Sequence, residues 1–211
     1  LVGSEMCITD SGYTNLGTAL SLDGKLREAE PSFRMALELA PNSLTYDNLG
    51  LLLYSRGNYA EATDMFQQAI ILRPADHLLR SHLADALWAD DKPAAAHENY
   101  LHARALARDA LKVNPNDAFT KMDLAWISAA LGEFDEALTL VAEAASAAPN
   151  DPFVHYTEAL IHSRRGAKDE AFLELQSAVE LGYSSLLLQH DPNFADLHGD
   201  QRWKDLTGDG N

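Results

Sequence analysis

Three residues have the types and spacing from which a metal or acid–base site could be built: His155, Glu158 and His162. On a helix they fall at i, i+3 and i+7, along one face, and neighbours one turn apart could share an ion. The two histidines are then about 10.5 Å apart along the axis at 1.5 Å per residue, too far for one ion to bridge. The sequence therefore argues for a half-buried hydrogen-bond network and no tight zinc site. His77 and His82, like His97 and His102, are five apart and point to different sides of a helix. The closing "TGDGN" lacks the remaining ligands of a calcium loop and reads as a disordered tail. There is no phosphate-cradling glycine loop, no His-Glu-x-x-His and no Gly-x-Ser-x-Gly. No catalytic, cofactor-binding or metal-binding residue is expected, and no enzymatic activity.

Composition narrows the partners. Lys and Arg total 16 against 32 Asp and Glu, for a net charge of -16. Nucleic acid and anionic membrane surfaces both require clustered cations, so neither is expected as a partner. No apolar run reaches the ~18 residues of a membrane span. An apolar content of 46% is that of a soluble globular chain, cytoplasmic in preference to periplasmic. The single cysteine, Cys7, excludes an internal disulfide. It lies in "LVGSEMC", a poor lipoprotein cleavage site that reads instead as a frayed N-terminal segment. The sequence opens on Leu1, as a piece or processed product of a longer protein would.

The elements that would position any site come from a repeat. "YTNLGTAL" at Tyr13 returns as "YDNLGLLL" at Tyr46, 33 residues on. Gly17, Ala29, Phe33, Ala36 and Pro41 are matched at the same interval by Gly50, Ala62, Phe66, Ala69 and Pro74. A third copy carries Leu83, Ala84, Ala96, Tyr100 and Ala103; a fourth Leu124, Ala125, Gly132, Ala137, Ala144 and Pro149; a fifth Ala159, Gly166, Ala171 and Ala178. Each copy reads as two amphipathic helices joined at Gly24, Gly57, Asp91, Gly132 or Gly166, where a left-handed residue ends the first helix. A small Ala marks a close helix crossing, and a large side chain follows four residues later. One helix pair cannot bury its own apolar face, whereas stacked pairs can, so the interval indicates a solenoid.

In these residues the chain closely resembles the tetratricopeptide repeat family over roughly residues 10–185. The resemblance implies an all-α fold: a right-handed α-solenoid of about five helix pairs at 10–42, 43–76, 77–117, 118–151 and 152–185. Residues 1–9 precede it, and a short helical cap and tail occupy 186–211. Three departures stand out. The third copy is seven residues longer, close to two helical turns, which predicts one helix from about Pro93 to Val113 whose extra turns project past its neighbours. Pro31 should delay or bend the second helix of the first copy. Phe194, Leu197, Trp203 and Leu206 form a tail that should cover the last exposed helix face. Similar tails, and a similarly lengthened repeat, close the C-terminal repeat modules of bacterial eukaryotic-like serine/threonine kinases and winged-helix regulators. The chain resembles those modules without carrying kinase or winged-helix motifs.

The resemblance also implies that first helices line a concave groove. Facing it would be Asn15 and Thr18, then Asn48, Leu51 and Tyr54, then His82, Asp85 and Trp88, then Met122, Asp123 and Trp126, then Tyr156. Asn15 and Asn48 occupy equivalent slots and could bond a peptide backbone. The aromatics are the usual anchors of protein interfaces. Asp47, Asp85 and Asp123 favour a ligand with basic as well as apolar side chains. Trp88 and Trp126 could equally fill core between repeats. Two functions remain open: a non-enzymatic interaction scaffold holding a peptide or partner helix, as a regulatory module of a larger bacterial signalling protein, and a self-assembling homo-oligomeric module using the solenoid ends and the long helix.

Overall fold

A computed structural model describes residues 9–208. The segment around Cys7 and the last three residues of the "TGDGN" tail lie outside the described residues.

The described chain is helical and contains no strand. Ten helices form five antiparallel pairs: α1 (Asp10–Leu22) with α2 (Leu26–Leu39), α3 (Ser43–Ser55) with α4 (Tyr59–Leu72), α5 (His77–Ala89) with α6 (Pro93–Val113), α7 (Ala118–Ala130) with α8 (Phe134–Ala147), and α9 (Pro152–Arg164) with α10 (Lys168–Glu180). Then follow α11 (Ser185–Gln189), a 3₁₀ segment (Pro192–Leu197) and α12 (Gln201–Thr207).

The helix limits follow from local chemistry. Asn42, Asp76 and Asp151 cap α3, α5 and α9 by accepting the backbone N–H of Thr45, Leu78 and Phe153. Four of the five intra-pair turns use a left-handed glycine. The third uses Asp91 at φ 56°, the one non-glycine residue of positive φ among the described residues.

Packing within a pair rests on size matching. Ala29, Ala62, Ala96, Ala137 and Ala171 are wholly buried, and so are Phe33, Phe66, Tyr100, Val141 and Leu175 four residues on. Gly17 and Gly50 let α1 and α3 lie directly on Phe33 and Phe66. A Cβ at Gly50 would sit 2.5 Å from Phe66 Cε1.

Two departures resolve differently from expectation. Helix α2 starts without delay at Leu26 and continues uninterrupted past Pro31, which lies on its exposed side. Pro31 leaves the Arg27 carbonyl without its helical donor, and an exposed carbonyl can turn to water instead. Helix α6 has the expected limits, but most of its extension does not project. Ala107 is buried, Leu111 packs on the core, and Arg104 and Arg108 pair with Glu133 and Glu136 of the next helix pair. Beyond Leu111 only its last two residues, Lys112 and Val113, remain, and both are exposed. The tail does cover the end of the array: Leu188, Phe194, Leu197 and Trp203 are buried with Leu160, Phe172 and Leu175 of α9 and α10.

Candidate functional site in the concave face

The first helices of the second to fifth pairs surround a cavity of about 480 Å³. Of the residues expected to face a groove, Leu51 and Tyr54 from α3, His82 and Asp85 from α5, Met122, Asp123 and Trp126 from α7, and Tyr156 from α9 line it. Asn15, Thr18, Asn48 and Trp88 do not. Asn15 is exposed beyond the cavity on α1, and the Asn48 amide is committed to Thr18 Oγ1 at 3.3 Å. Trp88 is 47% exposed, and the guanidinium of Arg164 stacks 4.2 Å from its ring centre.

The cavity owes much to residues that the repeat pattern does not mark. The tail turns back over the concave side and contributes Tyr183, Asp191, Pro192 and Asn193 to its wall. Tyr54 donates its hydroxyl to Asn193 Oδ1 at 3.2 Å, joining residues 139 positions apart. Tyr156 donates to Asp191 at 2.6 Å and stacks on Tyr183 at 4.5 Å. Phe119 and Phe153 lie at the mouth. With Leu44 and Leu78 they share one slot of the repeat, and all four are exposed. Their spacing was available as a signal, since each stands at the start of its first helix.

The cavity wall is acidic and its carboxylates are individually held. Asp85 accepts from the Tyr100 hydroxyl and from Trp126 Nε1 at 3.0 Å. Burial raises the Asp85 carboxyl to about 6, against the opposing pull of Tyr100, His82, Trp126 and Arg164. Asp123 meets His77 at 2.9 Å, and Asp47 meets His82 at 2.8 Å. Burial disfavours charge on His82, but the Asp47 carboxylate outweighs it, with Asp85 and Asp123 adding to the effect. The imidazole rises from 6.5 to about 9.

A pH dependence follows. His82 binds its proton more tightly in the folded chain, so its contribution is complete below about pH 6.5 and disappears as pH rises through about 9. Asp85 acts in the same direction at lower pH, because its burial penalty develops as it ionises between 3.8 and about 6. Urea unfolding should show stability falling by about 2–3 kcal/mol from pH 6.5 to 9.5, and His82→Gln should flatten that slope. An equal slope in the variant would remove His82 as its origin.

Two tetratricopeptide-repeat models match the sequence, at residues 9–75 and 94–161, together more than half of the chain. The chain belongs to the tetratricopeptide repeat family. Such repeats generally mediate protein–protein interactions. No curated protein matches the sequence. Among solved structures, the repeat protein TTC0263 of Thermus thermophilus is similar at a TM-score of 0.64 and 20% identity, over 89% of this chain and 100% of that one. A chain of the APC/C hetero-tetramer Cut9–Hcn1 is similar at 0.55 and 19% identity, over 86% of this chain and 36% of its own. YrrB, described as a repeat protein with an unusual peptide-binding site, aligns over 84% of this chain and 89% of its own at 23% identity, with a TM-score of 0.44. At these identities the likeness is one of fold.

Proposed function

We propose that this protein is a non-enzymatic scaffold that binds a peptide across its concave face, with a basic side chain of the ligand entering the cavity. The observation that carries this reading is the cavity itself. The carboxylates of Asp85, Asp123 and Asp191 are set among the aromatic faces of Tyr54, Trp126 and Tyr156, and no Lys or Arg lines the wall. A cation gains from both the charges and the ring quadrupoles in such a setting. The exposed row of Leu44, Leu78, Phe119 and Phe153 offers apolar contacts along the rim at the repeat spacing. Arg164 stacked on Trp88 shows the same chemistry satisfied within the chain. The cap resembles those of bacterial signalling modules, which favours a regulatory segment of a larger protein as the setting.

The test is a peptide library screened against the purified chain, with binding followed by tryptophan fluorescence. Enrichment of Lys or Arg flanked by apolar residues is the expected result. Trp126→Phe and Phe119→Ala should each weaken the selected peptide by roughly 1–2 kcal/mol, as anchor residues do. Because Phe119 is 63% exposed, its removal should leave the melting temperature nearly unchanged. Enrichment without basic residues, or equal affinity in both variants, would reject the reading.

Self-assembly is the second reading. It is favoured by Ile71, Leu72 and Val113, which are exposed on the second helices at 69%, 49% and 88%. Concentration-dependent mass in light scattering, abolished by Ile71→Lys, would support it; a monomer at all concentrations would dismiss it.

A further inference from the structure

We propose that His155, Glu158 and Glu174 bind one divalent transition-metal ion, Zn²⁺ foremost, stapling α9 to α10 outside the concave cavity. The three offer one ligand atom each, all within 4.8 Å of one another. His155 Nδ1 is 2.7 Å from Glu174 Oε2. Ligands about 2.1 Å from a tetrahedral ion stand about 3.4 Å apart, so small rotamer adjustments close the set. One imidazole nitrogen with two carboxylates suits zinc and its neighbours better than calcium or magnesium, which prefer all-oxygen shells.

A second observation points to the same place. His162, one turn beyond Glu158, is only 7% exposed, and its Nδ1 has no hydrogen-bond partner. Its Nε2 aims at Glu158 Oε1 from 3.7 Å. Glu158 in turn accepts no hydrogen bond among the described residues, and the nearby Arg165 is directed at Glu170. The equivalent slots of the earlier pairs hold buried Leu49 and Leu53, Leu83 and Leu87, Leu124 and Ser128. Glu158 and His162 forgo that packing here, and an ion would compensate the loss. With Glu158 bound to metal, His162 becomes its hydrogen-bond donor, in the manner of outer-shell partners elsewhere. The two histidines do not share the ion. The ligand that one-helix spacing could not supply is Glu174, from the neighbouring helix.

The test is calorimetric titration of Zn²⁺ into the purified, metal-stripped chain in a non-chelating buffer, with melting curves alongside. One ion per chain is expected, with a rise in melting temperature. Glu174→Gln and His155→Gln should each weaken binding by roughly tenfold or more and abolish the rise. His97→Gln, on the exposed side of α6, should change neither. Both ligand variants alter side chains that are partly exposed, 27% for His155 and 24% for Glu174, and circular dichroism verifies their folding. Absence of binding at millimolar Zn²⁺, or binding that survives both ligand variants, would overturn the site. Peptide binding in the concave face is read separately, so neither result decides the other.

Discussion

Replacing Phe66 by Ala will lower the unfolding free energy by about 3–5 kcal/mol, the cost of emptying a fully packed aromatic site. The ring is 1% exposed. It packs directly against Gly50, lies 5.5 Å from the His82 ring, and lines the concave cavity. The neighbouring wholly buried Ala62 and Ala69 are too small to fill the space it would leave. The reciprocal change, Gly50→Ala, overfills the same contact and should cost about 1–3 kcal/mol. The third pair carries Ala84 at the matching position beneath Tyr100, whose hydroxyl is tied to Asp85. Alanine is therefore compatible with the slot in general and penalised at Gly50 by the placement of Phe66. Urea unfolding followed by helicity reads both variants. A loss below about 1 kcal/mol for Phe66→Ala would mean that the second pair is not packed as described.

The second large effect is expected at the other end of the array. Trp203→Ala should remove about 3–5 kcal/mol from the anchoring of the cap. Trp203 is 2% exposed, 5.9 Å from the Phe194 ring and 4.6 Å from His198. The cap is otherwise tied to the array by buried Leu188, Phe194 and Leu197 and by polar bonds that include Lys168 to the Asp196 carbonyl and Arg202 to Asp169. Neighbour-only contact makes a solenoid lose its end first. The variant should therefore show fast amide exchange over Ser185–Thr207 while α3 to α8 stay protected. Loss of the cap also breaks the Tyr54–Asn193 and Tyr156–Asp191 bonds, so the concave cavity should open to larger peptides. Uniform loss of protection along the whole chain would show instead that the cap and the array unfold as one unit.

The repeat was legible in the sequence because its framework is local. Gly17 and Phe33, or Gly50 and Phe66, meet within one helix pair, and the left-handed turn at Asp91 is a property of a few consecutive residues. Helix α6 could be delimited from Pro93 to Val113 for the same reason: its apolar period continues with no breaker. The course of its extension was not legible, because the Arg104–Glu133 and Arg108–Glu136 pairs that hold it depend on where α8 begins.

The concave face divides along the same line. Repeat position alone identified Leu51, Tyr54, His82, Asp85, Met122, Asp123, Trp126 and Tyr156 as groove candidates, and these line one cavity. Position alone could not show that Asn48 is occupied by Thr18, that Arg164 stacks on Trp88, or that Asp191 and Asn193 close the cavity from the tail. Nor could it bring Glu174 to His155 and Glu158. Interactions within a turn or a pair are set by spacing along the chain, and the sequence determined those: the family, the helix pairs and the side of each helix that faces inward. The curvature of the stack decides which distant residues meet. It is the sum of small rotations at every inter-pair contact, and no single stretch of sequence encodes that sum.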